Sequence, residues 1–170
     1  VALGIDLTAN RQLERSTLFV DDNGNRDVAE YQGEWGFPDW KFRLGVRADL
    51  DKFRFTWETN YLGSVVDDPA AVDPFDSIDG LSDTCLGPPT DELCRDIGHT
   101  DSYMLHHTSV YYYGDQWTFG GGIRNVFNEE PPFVDGTEIL AINNAPIGYG
   151  YDLNGRTYFF NIAANFGGGE

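Results

Sequence analysis

The most regular feature of the chain is an alternation of apolar and polar residues with a period of two. In "DWKFRLGVRADL", residues 39–50, one side of the run is apolar and the other is largely charged. The apolar positions are Trp40, Phe42, Leu44, Val46, Ala48 and Leu50. Successive side chains of a strand point to opposite faces, whereas a helix would mix these two sets. The pattern therefore predicts a β-strand with one apolar face.

The same alternation recurs along the chain and predicts six strands. After a short turn at Asp51, "FRFTWETNYLGSV" repeats it over residues 53–65, which predicts a hairpin. A second hairpin is predicted around a turn at Gly114 and Asp115. The remaining strands are predicted over residues 1–10, 102–113, 117–125 and 156–166. In the last strand one face carries Tyr158, Phe160, Ile162 and Phe166, and the other carries Phe159, Asn161 and Asn165.

The connections between these strands alternate in length. The two turns are about two residues long, whereas residues 11–38, 67–100 and 128–155 are long, polar and rich in Asp, Gly and Pro. Soluble domains rarely contain several such connections, but outer-membrane barrels have short periplasmic turns and long extracellular loops. The alternation predicts an all-β fold, an antiparallel transmembrane β-barrel segment of about six strands.

The charged strand faces favour the same interpretation. Arg43, Arg47, Arg54, Glu58 and Arg124 all fall on the polar sides of predicted strands. A cation facing lipid at the bilayer midplane costs roughly 2–4 kcal/mol, while a water-filled interior accepts it. The polar sides are therefore predicted to face the barrel interior, and the apolar sides to face lipid.

Composition narrows the possible partners. The chain has 28 acidic and 11 basic residues and a net charge of −17, so it would repel a nucleic-acid backbone. Aromatic residues make up 15% of the chain and glycine contributes 20 residues, which favours strands and tight turns. No run approaches the roughly 20 apolar residues of a transmembrane helix. These features exclude a nucleic-acid partner and leave a membrane barrel open.

The C-terminal part of the chain resembles a known family. "WTFGGGIRNVFNEEPPFVDG" followed by "YDLNGRTYFFNIAANF" is similar to the C-terminal end of TonB-dependent outer-membrane receptors. The resemblance spans most of residues 35–166 and is most specific in the last fifty. The matching residues are Gly122, Asn125, Val126, Phe127, Pro131, Pro132, Tyr151, Asp152, Gly155, Arg156 and Phe166. Residues 167–170 form a short tail beyond the phenylalanine that usually ends the family.

The resemblance implies a function and a location. It implies a 22-stranded barrel filled by a plug, in the outer membrane of a Gram-negative bacterium. Such receptors bind a scarce nutrient (a siderophore, haem, cobalamin, a saccharide or a peptide) and import it with TonB-derived energy. Residues 1–166 would be the C-terminal portion of that barrel. The implied partners are outer-membrane lipid and lipopolysaccharide, the rest of the barrel with its plug, and the TonB complex. The remaining strands and the plug would come from upstream sequence or from a separate chain. Substrate-binding residues are not predicted.

The two cysteines are predicted to form a disulfide. Cys85 and Cys94, in "CLGPPTDELC", lie in the longest predicted extracellular loop, and an even number of cysteines in an oxidising compartment favours a bond between them. Two thiols alone lack the four ligands of a structural zinc site.

Other possible metal sites fit less well. "DDNGNRD" from Asp21 begins like a calcium loop, but its sixth residue is Arg26 and its twelfth is Gln32, so an Asn-Gly turn at the tip of an external hairpin is favoured. His106 and His107 are adjacent in a strand and cannot bind one metal together, and His99 lies at a loop edge. No metal or cofactor is predicted.

Two other functions remain as alternatives. One is a self-contained barrel of eight strands with a structural or adhesion role, in which residues 16–20 and 28–35 would also span the membrane. The other is an outer-membrane enzyme such as a lipase or protease, but no nucleophile constellation is recognisable. The chain is therefore expected not to be an enzyme.

Overall fold

The computed structural model of the chain is all-β within the residues that it describes. Those residues are 1–66, 76–77, 94–95, 99–132, 134, 140–143 and 145–165. All pairing among them is antiparallel, and they include no helix. The strands are β1 (Ala2–Arg11), β2 (Ser16–Val20), β3 (Arg26–Glu30), β4 (Trp40–Leu50), β5 (Phe53–Leu62), β6 (Val65–Val66), β7 (Asp76–Ser77), β8 (Cys94–Arg95), β9 (His99–Thr100), β10 (Tyr103–Tyr113), β11 (Trp117–Arg124), β12 (Ala141–Ile142), β13 (Ala145–Pro146) and β14 (Thr157–Ala164).

Over this described part of the chain, no helix long and apolar enough to cross a membrane is found.

Six of the strands form one sheet, in the order β1-β4-β5-β10-β11-β14. These are the strands that the alternation predicts, and the boundaries differ by at most two residues except at the end of β5, which comes three residues earlier than predicted. The predicted hairpin across Asp51 is confirmed, because Leu50 pairs with Phe53 and Asp51 has a φ of 50°. The predicted pairing of the last two long strands is also confirmed. Within the described residues the sheet is open, with β1 and β14 at its edges.

The short turns lie together at one end of this sheet, which we call the turn end. The second turn lies one residue later than predicted, at Asp115 and Gln116, because the Gly114 N–H donates to the Trp117 carbonyl at 2.8 Å. Lys52 of the first turn forms an ion pair of 3.1 Å with Asp115 of the second. The long connections all leave from the opposite end, the loop end, as predicted.

Strand register separates the side chains of the sheet into two faces. The apolar face includes Leu3, Ile5, Leu7, Trp40, Phe42, Leu44, Val46, Phe53, Phe55, Trp57, Met104, Val110, Phe119, Ile123, Tyr158, Phe160 and Ile162. The polar face includes Asp6, Thr8, Asn10, Lys41, Arg43, Arg47, Asp49, Arg54, Thr56, Glu58, Asn60, His107, Ser109, Tyr111, Arg124 and Asn161. Both faces therefore run without interruption across all six strands.

The apolar face is uncovered. Even in the two middle strands, Phe55 and Val110 are 46% and 41% exposed, and at the β14 edge Tyr158 and Phe160 reach 72% and 69%. A soluble sheet normally buries such a face against a second layer. Among the described residues none supplies that layer.

A small apolar core lies instead over the polar face, at the loop end. It is formed by Trp35, Val65 and Val134, with Tyr149 and Tyr151 packed against it. The ring of Tyr151 also contacts that of Tyr103, a polar-face residue, with 5.1 Å between centroids. The loop residues of this core thus lie over the polar face rather than over the apolar face.

The prediction that the second strand continues to Val65 is wrong. β5 ends at Leu62, and Gly63 donates its N–H to the Trp40 carbonyl at 2.8 Å before the chain leaves the sheet. A Cβ atom at Gly63 would lie 3.1 Å from that carbonyl oxygen, a tight approach that favours a glycine at the exit. Val65 then pairs with Thr100 and is buried in the loop core rather than on the apolar face.

The segment between β1 and β4 contains the predicted hairpin, while its external position stays a prediction. β2 and β3 pair with each other, and the turn is capped by Asp21, whose carboxylate accepts hydrogen bonds from Asn23 and Asn25. The Asn25 amide lowers the pKa of Asp21. Since β2 and β3 do not join the six-stranded sheet, the described residues do not form the eight-stranded arrangement that the small-barrel alternative requires.

Candidate functional site: the polar face and its loop end

Two of three consecutive glycines in β11, Gly120 and Gly122, shape the polar face. At Gly120 a Cβ atom would overlap the Tyr111 ring, and at Gly122 it would lie 2.6 Å from the Phe159 ring. Tyr111 comes from β10 and Phe159 from β14, so both neighbouring strands lay an aromatic ring over the glycines. Phe159, the one large apolar residue predicted on the inner side of the last strand, therefore packs against neighbouring residues of the sheet.

Two contacts hold these rings in place. The Asn161 side-chain amide donates to the Tyr111 hydroxyl at 3.3 Å, a hydrogen bond that crosses β11. The Arg124 guanidinium lies 5.7 Å from the centroid of Phe159. Cation–π contacts of this kind contribute roughly 0.5–1 kcal/mol at exposed sites. The result is an aromatic surface bordered by polar groups.

Ion pairs occupy the neighbouring strands of the polar face. Arg43 of β4 pairs with Glu58 of β5, and Glu58 also accepts a hydrogen bond of 2.9 Å from Asn60. Asp49 pairs with Arg47 at 3.1 Å and with Arg54 at 2.6 Å. Most of the cations that sequence analysis placed on this face are thus neutralised by acids of the same face.

A cavity of about 620 Å³ lies over β5, β10, β11 and β14. Its lining includes Glu58, His107, Tyr111, Arg124, Phe159 and Asn161. A second cavity of about 420 Å³ lies over β1, β4 and β5. The larger cavity is within the usual range of small-molecule sites, roughly 300–1,000 Å³.

The adjacent histidines point to opposite faces, as predicted. On the polar face, His107 Nδ1 accepts the Asn125 N–H at 3.0 Å, so a neutral ring carries its proton on Nε2. On the apolar face, His106 Nδ1 lies 2.9 Å from the Thr59 hydroxyl. No group of three or more His, Cys, Asp or Glu side chains suited to a metal occurs among the described residues.

The residues after β11 that carry the family resemblance form a structural junction. Asn125 is 1% exposed, with a φ of 51°. Its side-chain amide donates to the Glu129 carbonyl at 2.8 Å and accepts the Glu129 N–H at 2.7 Å. Asn can adopt this left-handed conformation and can also bond to nearby backbone, which few residues combine.

The junction also holds the start of β14. The Asn128 side-chain oxygen accepts the Arg156 N–H at 2.9 Å, and a Cβ atom at Gly155 would lie 3.2 Å from that same oxygen. Gly155 has a φ of 65°, which favours glycine. Asn125, Gly155 and Arg156 are therefore brought together around Asn128. The Arg156 side chain is exposed, so the backbone of this residue makes the contact.

The other motif residues lie on both sides of the sheet. Phe127 turns to the apolar side, 5.1 Å from the His106 ring and 6.3 Å from Trp57 between centroids. Tyr151 packs in the loop core, and its burial raises its pKa. The Asp152 N–H donates to the Tyr103 hydroxyl at 3.4 Å. Gly122 and Val126 are half-buried, and so are Pro131 and Pro132.

Some predicted residues lie outside the described part of the chain. Phe166 and Cys85 are among them, and for Cys94 and His99 only the backbone is described, in β8 and β9. The disulfide and the lipid-facing position of Phe166 stay predictions.

Sequence analysis missed Asn128 and the pairing of aromatic rings with glycines. An Asn three positions after another Asn, directly after a strand, is a detectable signal for two left-handed residues. The glycines signal a close approach, but only strand register identifies Tyr111 and Phe159 as the rings involved.

Comparison of the chain with known proteins gives no match to a family model, to a curated protein or to a solved structure.

Proposed function

We propose that the chain is the C-terminal part of the barrel of an outer-membrane active-transport receptor. The receptor would bind a scarce extracellular nutrient at its long loops and import it with TonB-derived energy. In this proposal the apolar face contacts lipid, the polar face lines the interior, and the chain has no enzymatic role.

The observation that carries this proposal is the placement of the loop core over the polar face. In a soluble protein the largest apolar surface is the one that packing covers. Here Trp35, Val65 and Tyr151 pack over the charged side, while Phe55, Val110 and Phe160 stay exposed. Lipid is the surrounding medium in which this arrangement is favourable.

The family-motif junction gives independent support. In the resemblance, the segment that ends with Asn125, Val126 and Phe127 precedes a loop and a Tyr-Asp-x-x-Gly-Arg segment. The structure brings the two ends of that loop together at Asn128 and Gly155. Asn125, Gly155 and Arg156 thus have a common physical role, which is to fix the β11 exit against the β14 entry.

The two sheet edges define what the rest of the receptor must provide. Unpaired backbone groups in hydrocarbon cost several kcal/mol each, so β1 and β14 would need partner strands within the membrane. We propose that these strands, and the plug, come from upstream sequence or from a separate chain.

The alternatives receive less support. The small barrel would need membrane strands at residues 16–20 and 28–35, whereas β2 and β3 have five residues each, about half of the 9–11 that a tilted spanning strand needs. An outer-membrane enzyme needs a nucleophile beside a general base. Of the described serines, Ser109 on the polar face bonds to Thr56 at 2.6 Å, and this pair gives no such arrangement.

Energised uptake tests the transport function. Cells that express the complete protein would be given radiolabelled siderophore, haem, cobalamin, saccharide and peptide in turn, with and without an uncoupler of the proton gradient. We expect the cells to take up one of these nutrient classes. This uptake should be abolished by the uncoupler, and it should also be absent in a strain that lacks TonB. Uptake that persists without the gradient would contradict a receptor and favour a passive pore.

A further inference from the structure

We propose that the 620 Å³ cavity over β5, β10, β11 and β14 binds a small ring-bearing organic anion, with its carboxylate at Arg124 and its ring against Phe159 and Tyr111. The inference rests on the proposed function, because a barrel would turn this cavity towards its interior, between the wall and the plug. The site would lie on the inner wall, below the loop core.

The charge of the polar face differs from that of the whole chain. The chain carries a net charge of −17, yet the only acids in the six strands of the sheet are Asp6, Asp49 and Glu58. The cations of this face are Lys41, Arg43, Arg47, Arg54 and Arg124. A face with more cations than acids, on an acidic protein, favours an anionic ligand over a cationic one.

Among the described residues, Arg124 is the arginine of this face that has no acidic partner and is available to bind such a ligand. Arg43 is paired with Glu58, while Arg47 and Arg54 share Asp49. Within the described part of the chain Arg124 has no acidic partner, and its contact is with the Phe159 ring. A guanidinium on an aromatic face keeps its N–H edge available for a bidentate bond to a carboxylate.

The rest of the cavity supplies flat surface and further donors. Tyr111 lies over Gly120 and Phe159 over Gly122, and both rings line the cavity. A ligand ring can stack on such a surface. His107 lines the same cavity and, because its Nδ1 is occupied by the Asn125 N–H, offers an Nε2 proton when neutral. Asn161 adds a side-chain amide.

Binding to the complete protein in detergent would test the site. The probes are benzoate and glucuronate, which combine a carboxylate with an aromatic ring or a sugar ring, and their uncharged counterparts are benzyl alcohol and glucose. Calorimetry would be performed on the wild type, Arg124→Gln, Arg124→Lys and the control Arg26→Gln. Arg26 is an exposed arginine at the start of β3, away from the sheet, and its replacement changes the net charge equally.

We expect the wild type to bind at least one of the two acids more tightly than its uncharged counterpart. Arg124→Gln should weaken that binding about tenfold, Arg124→Lys less, and Arg26→Gln not at all. Preference for benzoate would assign an aromatic acid, and preference for glucuronate a sugar acid. Phe159→Leu, which retains Arg124, should weaken binding of the preferred acid. That loss would identify the contribution of stacking on the Phe159 ring.

Two results would overturn the site: no preference of the wild type for either acid at millimolar concentration, or unchanged binding by a folded Arg124→Gln protein. Spin-label accessibility along β14, measured on the same preparations, tests the barrel separately. If that accessibility alternates while Arg124→Gln binds normally, only this proposal is wrong. If it does not alternate, the proposed function is wrong.

Discussion

At the scale of single residues, the asparagine after β11 illustrates what a motif does and does not reveal. Asn125 belongs to a segment that resembles a known family, but this resemblance does not say what the residue does. The role depends on a φ of 51°, on burial and on two hydrogen bonds to Glu129, all of which are set by the fold. The side chain is therefore structural, and its loss should be felt in stability.

Replacement of Asn125 should separate conformation from hydrogen bonding. Asn125→Gly keeps the left-handed backbone accessible but loses both side-chain bonds, and we expect it to lower the free energy of unfolding by about 1–3 kcal/mol. Asn125→Ala loses the same bonds and must also hold an alanine in the left-handed conformation. We therefore expect it to lower the free energy of unfolding by roughly 1–2 kcal/mol more than Asn125→Gly. Urea unfolding of the complete protein in micelles measures both. If the alanine variant were as stable as the glycine variant, the left-handed conformation at residue 125 would not strain an alanine, which would contradict this expectation.

The cysteines give a second test at this scale. Cys85 and Cys94 are close in sequence and are predicted to face an oxidising compartment, which favours a bond between them. A digest of unreduced protein should contain the linked peptides by mass spectrometry, and reduction should release them. Free thiols at both positions in freshly purified protein would count against the bond and against the extracellular placement of the loop.

At the scale of elements, the period of two predicted the strands well because each face has one consistent environment. The alternation of β4 and β5 survives in the sheet, and their turn lies where predicted. The prediction fails at Val65, because its apolar character fits the pattern equally well whether it lies on the sheet or in the loop core. Periodicity cannot distinguish these two environments once the chain leaves the hydrogen-bonded sheet.

The glycines of β11 allow a matched pair of substitutions in one strand. Gly122→Ala would drive a Cβ atom into the Thr108 carbonyl oxygen and to 2.6 Å from the Phe159 ring. Backbone cannot yield easily, so we expect a loss of about 1–3 kcal/mol or more. Gly121→Ala, on the opposite face, meets the Phe159 carbonyl at 3.2 Å and should cost less than about 1 kcal/mol.

The two variants would be compared in the complete protein, heated to a series of temperatures and run on a gel. The measured quantity is the midpoint temperature at which the folded form is lost. Both replacements add one methyl group to neighbouring positions, so any general preference for alanine over glycine in a strand cancels. Equal midpoints for the two variants would mean that β10 and β14 do not approach β11 as closely as the structure has them.

At the scale of the whole molecule, the two faces of the sheet could be predicted from sequence, but the loop core could not. Strand alternation assigns Arg43, Glu58 and Arg124 to one side, and register confirms it. That Trp35 and Tyr151 meet over this side depends on contacts between distant loops, for which a single sequence has no periodic signal. This loop placement is what makes a lipid-facing apolar side the favoured interpretation.

The lipid contact itself is best tested along β14, where exposed apolar and polar side chains alternate. Tyr158, Phe160 and Ile162 are exposed on the apolar face, while Asn161 and Asn165 occupy the other face. Turning the asparagine side outward would place two amides in hydrocarbon without full hydrogen bonding, at a cost of several kcal/mol each.

Single spin labels at these five positions, in complete protein lacking its native cysteines, would report collisions with oxygen and with a water-soluble nickel chelate. We expect oxygen to dominate at Tyr158, Phe160 and Ile162, and the chelate at Asn161 and Asn165. Labels at Phe160 and Asn161 form the closest control, since they differ by one residue and share the same depth. Oxygen accessibility that fails to alternate, or that is highest at the asparagines, would falsify the lipid-facing assignment of this face.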